Sequence, residues 1–150
     1  MHRALLFTCL SLAFVVTGCS DEYYLERQED KIIGTWEFEK VFYQADNSLF
    51  RDNISGEYVN DIIEFYDDYT AIYDDSSLGK VYPGDWLIRL DKDYTEDGGT
   101  REFFVDIMFY GIAQGEDFGI FGEIDRLNQN KLHLQAYDRH GTYTFKLRKL

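Results

Sequence analysis

The chain of 150 residues contains only two cysteines and one proline. Cys9 lies in an apolar N-terminal segment and Cys19 directly follows that segment, so the rest of the chain has no cysteine for a disulfide. A chain of this length buries roughly two thirds of its unfolded surface, so it needs neither a disulfide nor a structural metal to fold. The 12 Tyr and 12 Phe, beside the single Pro83, exclude the composition of a disordered stalk.

Basic residues are also scarce, with 15 Lys and Arg against 28 Asp and Glu and a net charge of −13 at pH 7. They are scattered along the chain, except for Lys146, Arg148 and Lys149 near its end. Nucleic acids and anionic headgroups attract clustered Lys and Arg, so this surface excludes nucleic acid as a partner. Cations, basic proteins and neutral ligands remain possible partners. The alternative interpretation is that the acidic residues only keep the protein soluble.

Motifs of enzymes are missing as well. The chain contains no nucleophile motif, no glycine-rich phosphate loop and no cofactor fingerprint. Acidic pairs such as Asp67/Asp68 and Asp74/Asp75 arise without catalytic purpose in a chain with 28 acids. We therefore expect a protein that is not an enzyme and that uses no cofactor.

Metal ligands do not form a recognisable set. His133 and His140 are the only histidines after the N-terminal segment, whereas a zinc site normally takes three or four ligands. Asp91 and Glu102 match the ends of an EF-hand loop, but Glu96 occupies the position that needs glycine. The sequence thus predicts surface histidines, a hairpin loop with solvated charges and no metal site.

The N-terminal segment has the organisation of an export signal. Arg3 precedes an apolar run over residues 4–16, and the run ends in the small-residue box Val16-Thr17-Gly18-Cys19. A mature transmembrane helix takes roughly 20 apolar residues, so this shorter run suits the core of a signal peptide. We expect residues 1–18 to be a lipoprotein signal peptide. Cys19 would then receive the acyl chains, palmitate among them, that hold the protein on a membrane.

The residues after Cys19 carry a second signal. Ser20 follows the cysteine where inner-membrane lipoproteins have Asp, and the pair Asp21-Glu22 resembles the export signal of some surface lipoproteins. The resemblance implies a lipid-anchored protein of the outer membrane, exposed on the cell surface. The alternative interpretation of Asp21 and Glu22 is a soluble spacer.

A polar stretch over residues 20–31 connects the lipidation site to the first strand pattern. Its helix formers favour one or two helical turns, with Tyr24 and Ile32 folded back onto the domain. A solvated tether is the alternative. We therefore divide the mature chain into a lipidated cysteine with a polar tether at 19–31 and a folded domain at 32–150.

From Gly34 onward, apolar residues alternate with polar ones and turn residues interrupt them at short intervals. In the first segment, Trp36, Phe38 and Phe42 fall on one face. About eight strands with short loops favour antiparallel pairing, because parallel strands need long crossovers. The sequence therefore predicts an all-β, up-and-down, eight-stranded antiparallel barrel, with a two-sheet β-sandwich as the alternative. The irregular stretch 45–60 is expected to form a lid or mouth loop.

The start of the domain carries a motif. Gly34-Thr35-Trp36 at the first strand, together with the ending Tyr143-Thr144-Phe145-Lys146-Leu147, resembles the lipocalin-like domains of Gram-negative envelope lipoproteins. The resemblance implies that Trp36 plugs the closed end of the barrel. It also implies that Arg148 packs across the indole as its barrel-closing partner, a cation–π contact worth roughly 0.5–2 kcal/mol.

The inward face of the barrel is the candidate ligand site. Barrels of eight strands either fill their interior with side chains or hold one small ligand, and both alternatives remain open. The candidate cavity residues are Trp36, Phe38, Phe65, Trp86, Ile88, Phe103, Val105, Ile107, Phe109, Tyr143 and Phe145. A cavity predicts a binder of a small apolar or amphipathic ligand. A filled barrel predicts a protein–protein interaction module of an envelope complex.

Overall fold

The computed structural model describes residues 19–93, 100–113 and 115–150. The expected signal peptide at 1–18 and the centre of the acidic loop at 94–99 lie outside the described residues, so both predictions stand as predictions.

One helix precedes a run of strands. The helix α1 spans Cys19–Ile32, and a short 3₁₀ helix spans Ser55–Tyr58 between the second and third strands. The strands are β1 Gly34–Ala45, β2 Asp52–Asn53, β3 Ile62–Phe65, β4 Thr70–Asp75, β5 Lys80–Asp93, β6 Thr100–Phe109, β7 Phe118–Leu127, β8 Lys131–Tyr137 and β9 Gly141–Lys149.

The sheet closes on itself. Each strand from β3 to β8 pairs antiparallel with the next, and β1 pairs with both β3 and β9. The two residues of β2 only extend the edge of β1, opposite Phe42 and Tyr43. The predicted eight-stranded antiparallel up-and-down barrel is therefore confirmed. The β-sandwich alternative is wrong because β1 forms hydrogen bonds on both sides and leaves no separation into two sheets.

A β-bulge interrupts the first strand. The register of β1 against β9 shifts between Phe38 and Lys40, so Val41 is buried and Phe42 is turned outward. The guanidinium carbon of Arg51 lies 4.4 Å from the centroid of the Phe42 ring on the outer surface. The expected placement of Phe42 on the same face as Trp36 and Phe38 is wrong, because one extra residue in a strand inverts all later side chains.

Of the two alternatives for the stretch 20–31, the structure shows the helix, which is longer than one or two turns. Asp21 and Glu22 in its first turn and Lys31 in its last turn complement the helix dipole. Its start is tied to the barrel: Asp21 pairs with Lys92, and the guanidinium carbon of Arg101 lies 4.2 Å from the Tyr24 ring centroid. The helix therefore packs across one end of the barrel.

Two side chains of the barrel bind the C-terminal carbonyls of α1. The indole nitrogen of Trp36 donates a hydrogen bond to the carbonyl oxygen of Ile32 at 2.6 Å, and the Lys149 ammonium donates to that of Lys31 at 3.1 Å. Trp36 and Ile32 are fully buried. These two side chains thus satisfy carbonyl groups at the helix end that have no partner inside the helix, and Trp36 closes this end of the barrel.

The predicted contact between Trp36 and Arg148 is wrong. Lys149 is the strand partner of Trp36, and its ammonium lies 5.2 Å from the centroid of the indole ring. Arg148, one residue earlier, points to the opposite face and donates to Glu37 at 2.6 Å. Gly34 makes room for the lysine, since a Cβ there would lie 2.6 Å from Lys149 Cε and the φ of +125° disfavours other residues.

Candidate functional site

The end of the barrel opposite α1 contains a cavity of about 420 Å³. It lies where β4, β8 and the bulged β1 end and where β5, β7 and β9 begin. Most of its lining is aromatic. The lining residues are Phe38, Tyr58, Tyr73, Asp75, Leu78, Tyr82, Phe118, Gly119, Ile120, Phe121, Ala136, Tyr137, Asp138, Tyr143 and Phe145.

Three of the predicted cavity residues, Phe38, Tyr143 and Phe145, line this space. Phe109 lies just beneath it, with its ring centroid 5.5 Å from that of Tyr73 and 5.1 Å from that of Phe118. The remaining predicted residues belong to the packed half of the interior or its border: Trp36, Phe65, Trp86, Ile88, Phe103, Val105 and Ile107. Their placement as cavity residues is wrong, because these side chains pack against one another in the hydrophobic core.

Several lining residues were not predicted. Tyr73 and Tyr82 follow the strand alternation, so period two alone was a sufficient signal for them. Tyr58 belongs to the 3₁₀ helix, whose sequence has no such periodicity. Its ring centroid lies 5.1 Å from that of Phe38 and 6.0 Å from that of Phe145. The irregular stretch 45–60 thus contributes one wall of the cavity.

A buried carboxylate connects this wall to β4. Asp61 is 1% exposed and accepts hydrogen bonds from the Tyr73 hydroxyl at 2.5 Å and from the backbone amide of Ser76 at 3.0 Å. Burial, and next the bond to Asp61, raises the pKa of Tyr73 far above its usual value. The Tyr73 hydroxyl therefore stays protonated and holds the segment before β3 in place.

Tyr58 is also neutral at physiological pH. Burial, followed by the neighbouring Tyr143, raises the pKa of Tyr58 to about 12. Burial likewise raises the pKa of Tyr143. The tyrosines therefore offer ring faces and uncharged hydroxyl groups to a bound molecule, without negative charge of their own.

Two carboxylates lie at the rim. Asp75 Oδ1 accepts hydrogen bonds from the Ser77 hydroxyl at 2.7 Å and the Leu78 amide at 2.9 Å. Asp138 Oδ1 accepts from the amides of His140 and Gly141, both at 2.7 Å. Each carboxylate is therefore positioned by its own turn. No Lys, Arg or His side chain is part of the lining that the described residues provide.

The cavity opens to solvent along its side as well. The β7–β8 pairing ends at Gly122 and Ala136, so within the described chain residues 118–121 face no β8 partner. Phe121 and Tyr137 border this gap and are 48% and 60% exposed.

A second cleft shares Tyr82 with this cavity. It has a volume of about 550 Å³ and lies between the start of β5 and the loop after β6. Lys80 and Glu116 form an ion pair across it, with an N–O distance of 2.8 Å. The hydrogen bond from Lys80 lowers the pKa of Glu116.

The described residues show no further site of recognisable chemistry. His133 lies within β8, where burial lowers its pKa, and His140 lies in the following turn. Nowhere in 19–93, 100–113 and 115–150 do three His, Cys, Asp or Glu residues come together in a way that could hold a metal ion. Over the same residues, no helix has the length and apolar character to cross a membrane.

No protein-family model, curated protein or solved structure matches the chain. A closed, eight-stranded, antiparallel up-and-down barrel with one helix across an end is compatible with a lipocalin-like fold.

Proposed function

We propose that this protein is a non-enzymatic binding protein whose barrel takes up one small apolar or amphipathic molecule. The observation that carries the proposal is the solvent-accessible cavity of about 420 Å³, lined mainly by aromatic rings. This volume falls within the roughly 300–1,000 Å³ that is typical of ligand pockets.

The packing around the cavity supports this function. The closed barrel below it is filled by buried side chains, so the cavity walls rest on a rigid floor. Apolar surface transferred from water into such a space contributes about 25 cal/mol per Å². The neutral hydroxyl groups of Tyr58 and Tyr143 belong to lining residues and can orient a polar group of the ligand.

The proposal places the protein on the outer membrane, exposed on the cell surface and attached by acyl chains on Cys19. Cys19 begins α1, and α1 packs across the closed end of the barrel. With such an anchor, the cavity opens at the end of the barrel away from Cys19. The ligand then enters from the aqueous phase, not from the bilayer that holds the anchor.

A substitution that fills part of the cavity tests this function. Ala136 lines it, so Ala136→Leu places new methyl groups in existing space and should weaken binding while the protein remains folded. Ala71 is equally small but lies 1% exposed in the packed half, where the same substitution should cost about 1–3 kcal/mol of unfolding free energy. Binding is measured by the fluorescence of the neutral probe N-phenyl-1-naphthylamine, and stability by urea unfolding.

Absence of probe binding to the unmodified protein would refute the function. Equal destabilisation by Ala136→Leu and Ala71→Leu would show instead that no usable space exists next to Ala136.

The second candidate function is an interaction module of an envelope complex. The observation that favours it is a set of exposed apolar side chains on open-end loops, where Leu49, Phe50 and Ile112 are 92%, 80% and 99% exposed. Crosslinking in intact membranes should then recover the same partner repeatedly. Replacement of Leu49 and Ile112 by Ser should abolish its recovery, and unchanged recovery would count against this function.

A further inference from the structure

We propose that the molecule bound in the open-end cavity carries a positively charged nitrogen, as an amine or quaternary ammonium group on an apolar body. This inference rests on the proposed ligand-binding function and deepens it. It follows from three features that meet at one place: aromatic walls, two positioned carboxylates and a lining without basic side chains.

The aromatic walls suit a cation. The rings of Tyr143 and Phe145 are nearly parallel, with centroids 5.7 Å apart and an angle of 5°, and Tyr58 meets Phe145 edge-on at 6.0 Å. A cation within about 6 Å of a ring centroid is attracted by the negative ring face, and desolvation strengthens this contact. Because the hydroxyl group of Tyr58 is protonated, the ring acts through its quadrupole and its hydroxyl dipole.

The carboxylates Asp75 and Asp138 supply the negative charge at the rim of the cavity. Each uses Oδ1 to bind its own turn, and Oδ2 has no hydrogen-bond partner among the described residues. The turns orient these groups before a ligand arrives, so little ordering entropy is lost on binding. A cationic headgroup at the rim would offset the negative charge that these carboxylates carry.

The nearby bases do not neutralise this rim. Lys80 is paired with Glu116 in the adjacent cleft. Arg139 is exposed in the turn after Asp138, outside the lining. A carboxylate ligand such as a fatty acid would meet Asp75 and Asp138 without a compensating cation. The geometry therefore favours ammonium ligands over neutral ligands, and neutral ligands over anionic ones.

The experiment compares three ligands of one chain length. Decyltrimethylammonium, decanol and decanoate displace N-phenyl-1-naphthylamine from the full-length protein at physiological ionic strength. The ammonium compound should bind about tenfold tighter than decanol, as one cation–π contact and the rim charge together imply, and decanoate should bind most weakly. If decanol and the probe fail to bind, the proposed function fails. If all three ligands bind equally, the function stands and the charge preference is refuted.

Isosteric variants test whether Asp75 and Asp138 cause the preference for the ammonium ligand. Asp75→Asn and Asp138→Asn keep an oxygen for the turn amides and remove the charge, so each should weaken ammonium binding about threefold or more and leave decanol binding unchanged. Asp74→Asn is the matched control, because Asp74 is exposed on the outer face of the same strand. Circular dichroism verifies that each variant is folded. An equal loss in Asp74→Asn would overturn the inference, since it would trace the preference to overall charge.

Discussion

Lys149→Met is the most direct test of how α1 closes the barrel. Methionine retains an unbranched side chain that packs beside Gly34, but it removes the ammonium group. That group lies 5.2 Å from the Trp36 ring centroid and donates to the carbonyl oxygen of Lys31 at 3.1 Å. The substitution therefore removes two polar contacts and little packing.

The expected magnitude follows from these contacts. The cation–π contact contributes roughly 0.5–2 kcal/mol, and a hydrogen bond from a charged donor roughly 1.5–3 kcal/mol. Desolvation of the ammonium offsets part of this gain, and it lowers the pKa of Lys149. We expect a net loss of about 1–3 kcal/mol in the free energy of unfolding, which lowers the urea midpoint by about 0.5–1.5 M.

Arg148→Met provides the matched control in the adjacent position. Arg148 pairs with Glu37 on the outer surface, where its side chain is 56% exposed, so its removal should cost less than about 1 kcal/mol. Urea unfolding followed by tryptophan fluorescence measures both variants. A larger loss for Arg148→Met than for Lys149→Met would refute the assignment of Lys149 as the residue that secures α1.

Two further predictions concern Tyr58 and Cys19. The pKa of Tyr58 is about 12 in the folded protein and about 10 when unfolded, so its stabilising contribution is complete below pH 10 and is lost as pH rises towards 12. Tyr58→Phe should therefore flatten the fall in unfolding free energy over this window, measured by urea unfolding at successive pH values, and an unchanged slope would contradict it. Cys19→Ala should leave the barrel folded but release the protein from the membrane fraction of Gram-negative cells, whereas retention there would exclude acyl anchoring at Cys19.

Strand alternation predicted the barrel well where the backbone is regular. Ile63 with Phe65 and Trp86 with Ile88 all face inward, as period two requires. The prediction failed at the bulge before Val41, because an extra residue leaves no mark in the hydrophobic pattern.

The prediction that Arg148 contacts Trp36 failed for a related reason. Adjacent residues of a strand face opposite sides, so a contact across the barrel depends on the exact register between β1 and β9. Both residues are basic, and composition alone does not distinguish them.

The sequence by itself determined the faces of the regular strands, their antiparallel pairing and the helix formers that precede the first strand, and it left open whether the sheet closes into a barrel or splits into a sandwich. Only the tertiary structure decided that the interior is filled at the Trp36 end and open at the Tyr73 end. The free volume is the small difference between the volume that the barrel encloses and the volume of the side chains that all strands contribute. In addition, a wall residue such as Tyr58 lies outside the strand pattern. Alternation therefore predicts which residues point inward, and packing in three dimensions determines which of them leave space for a ligand.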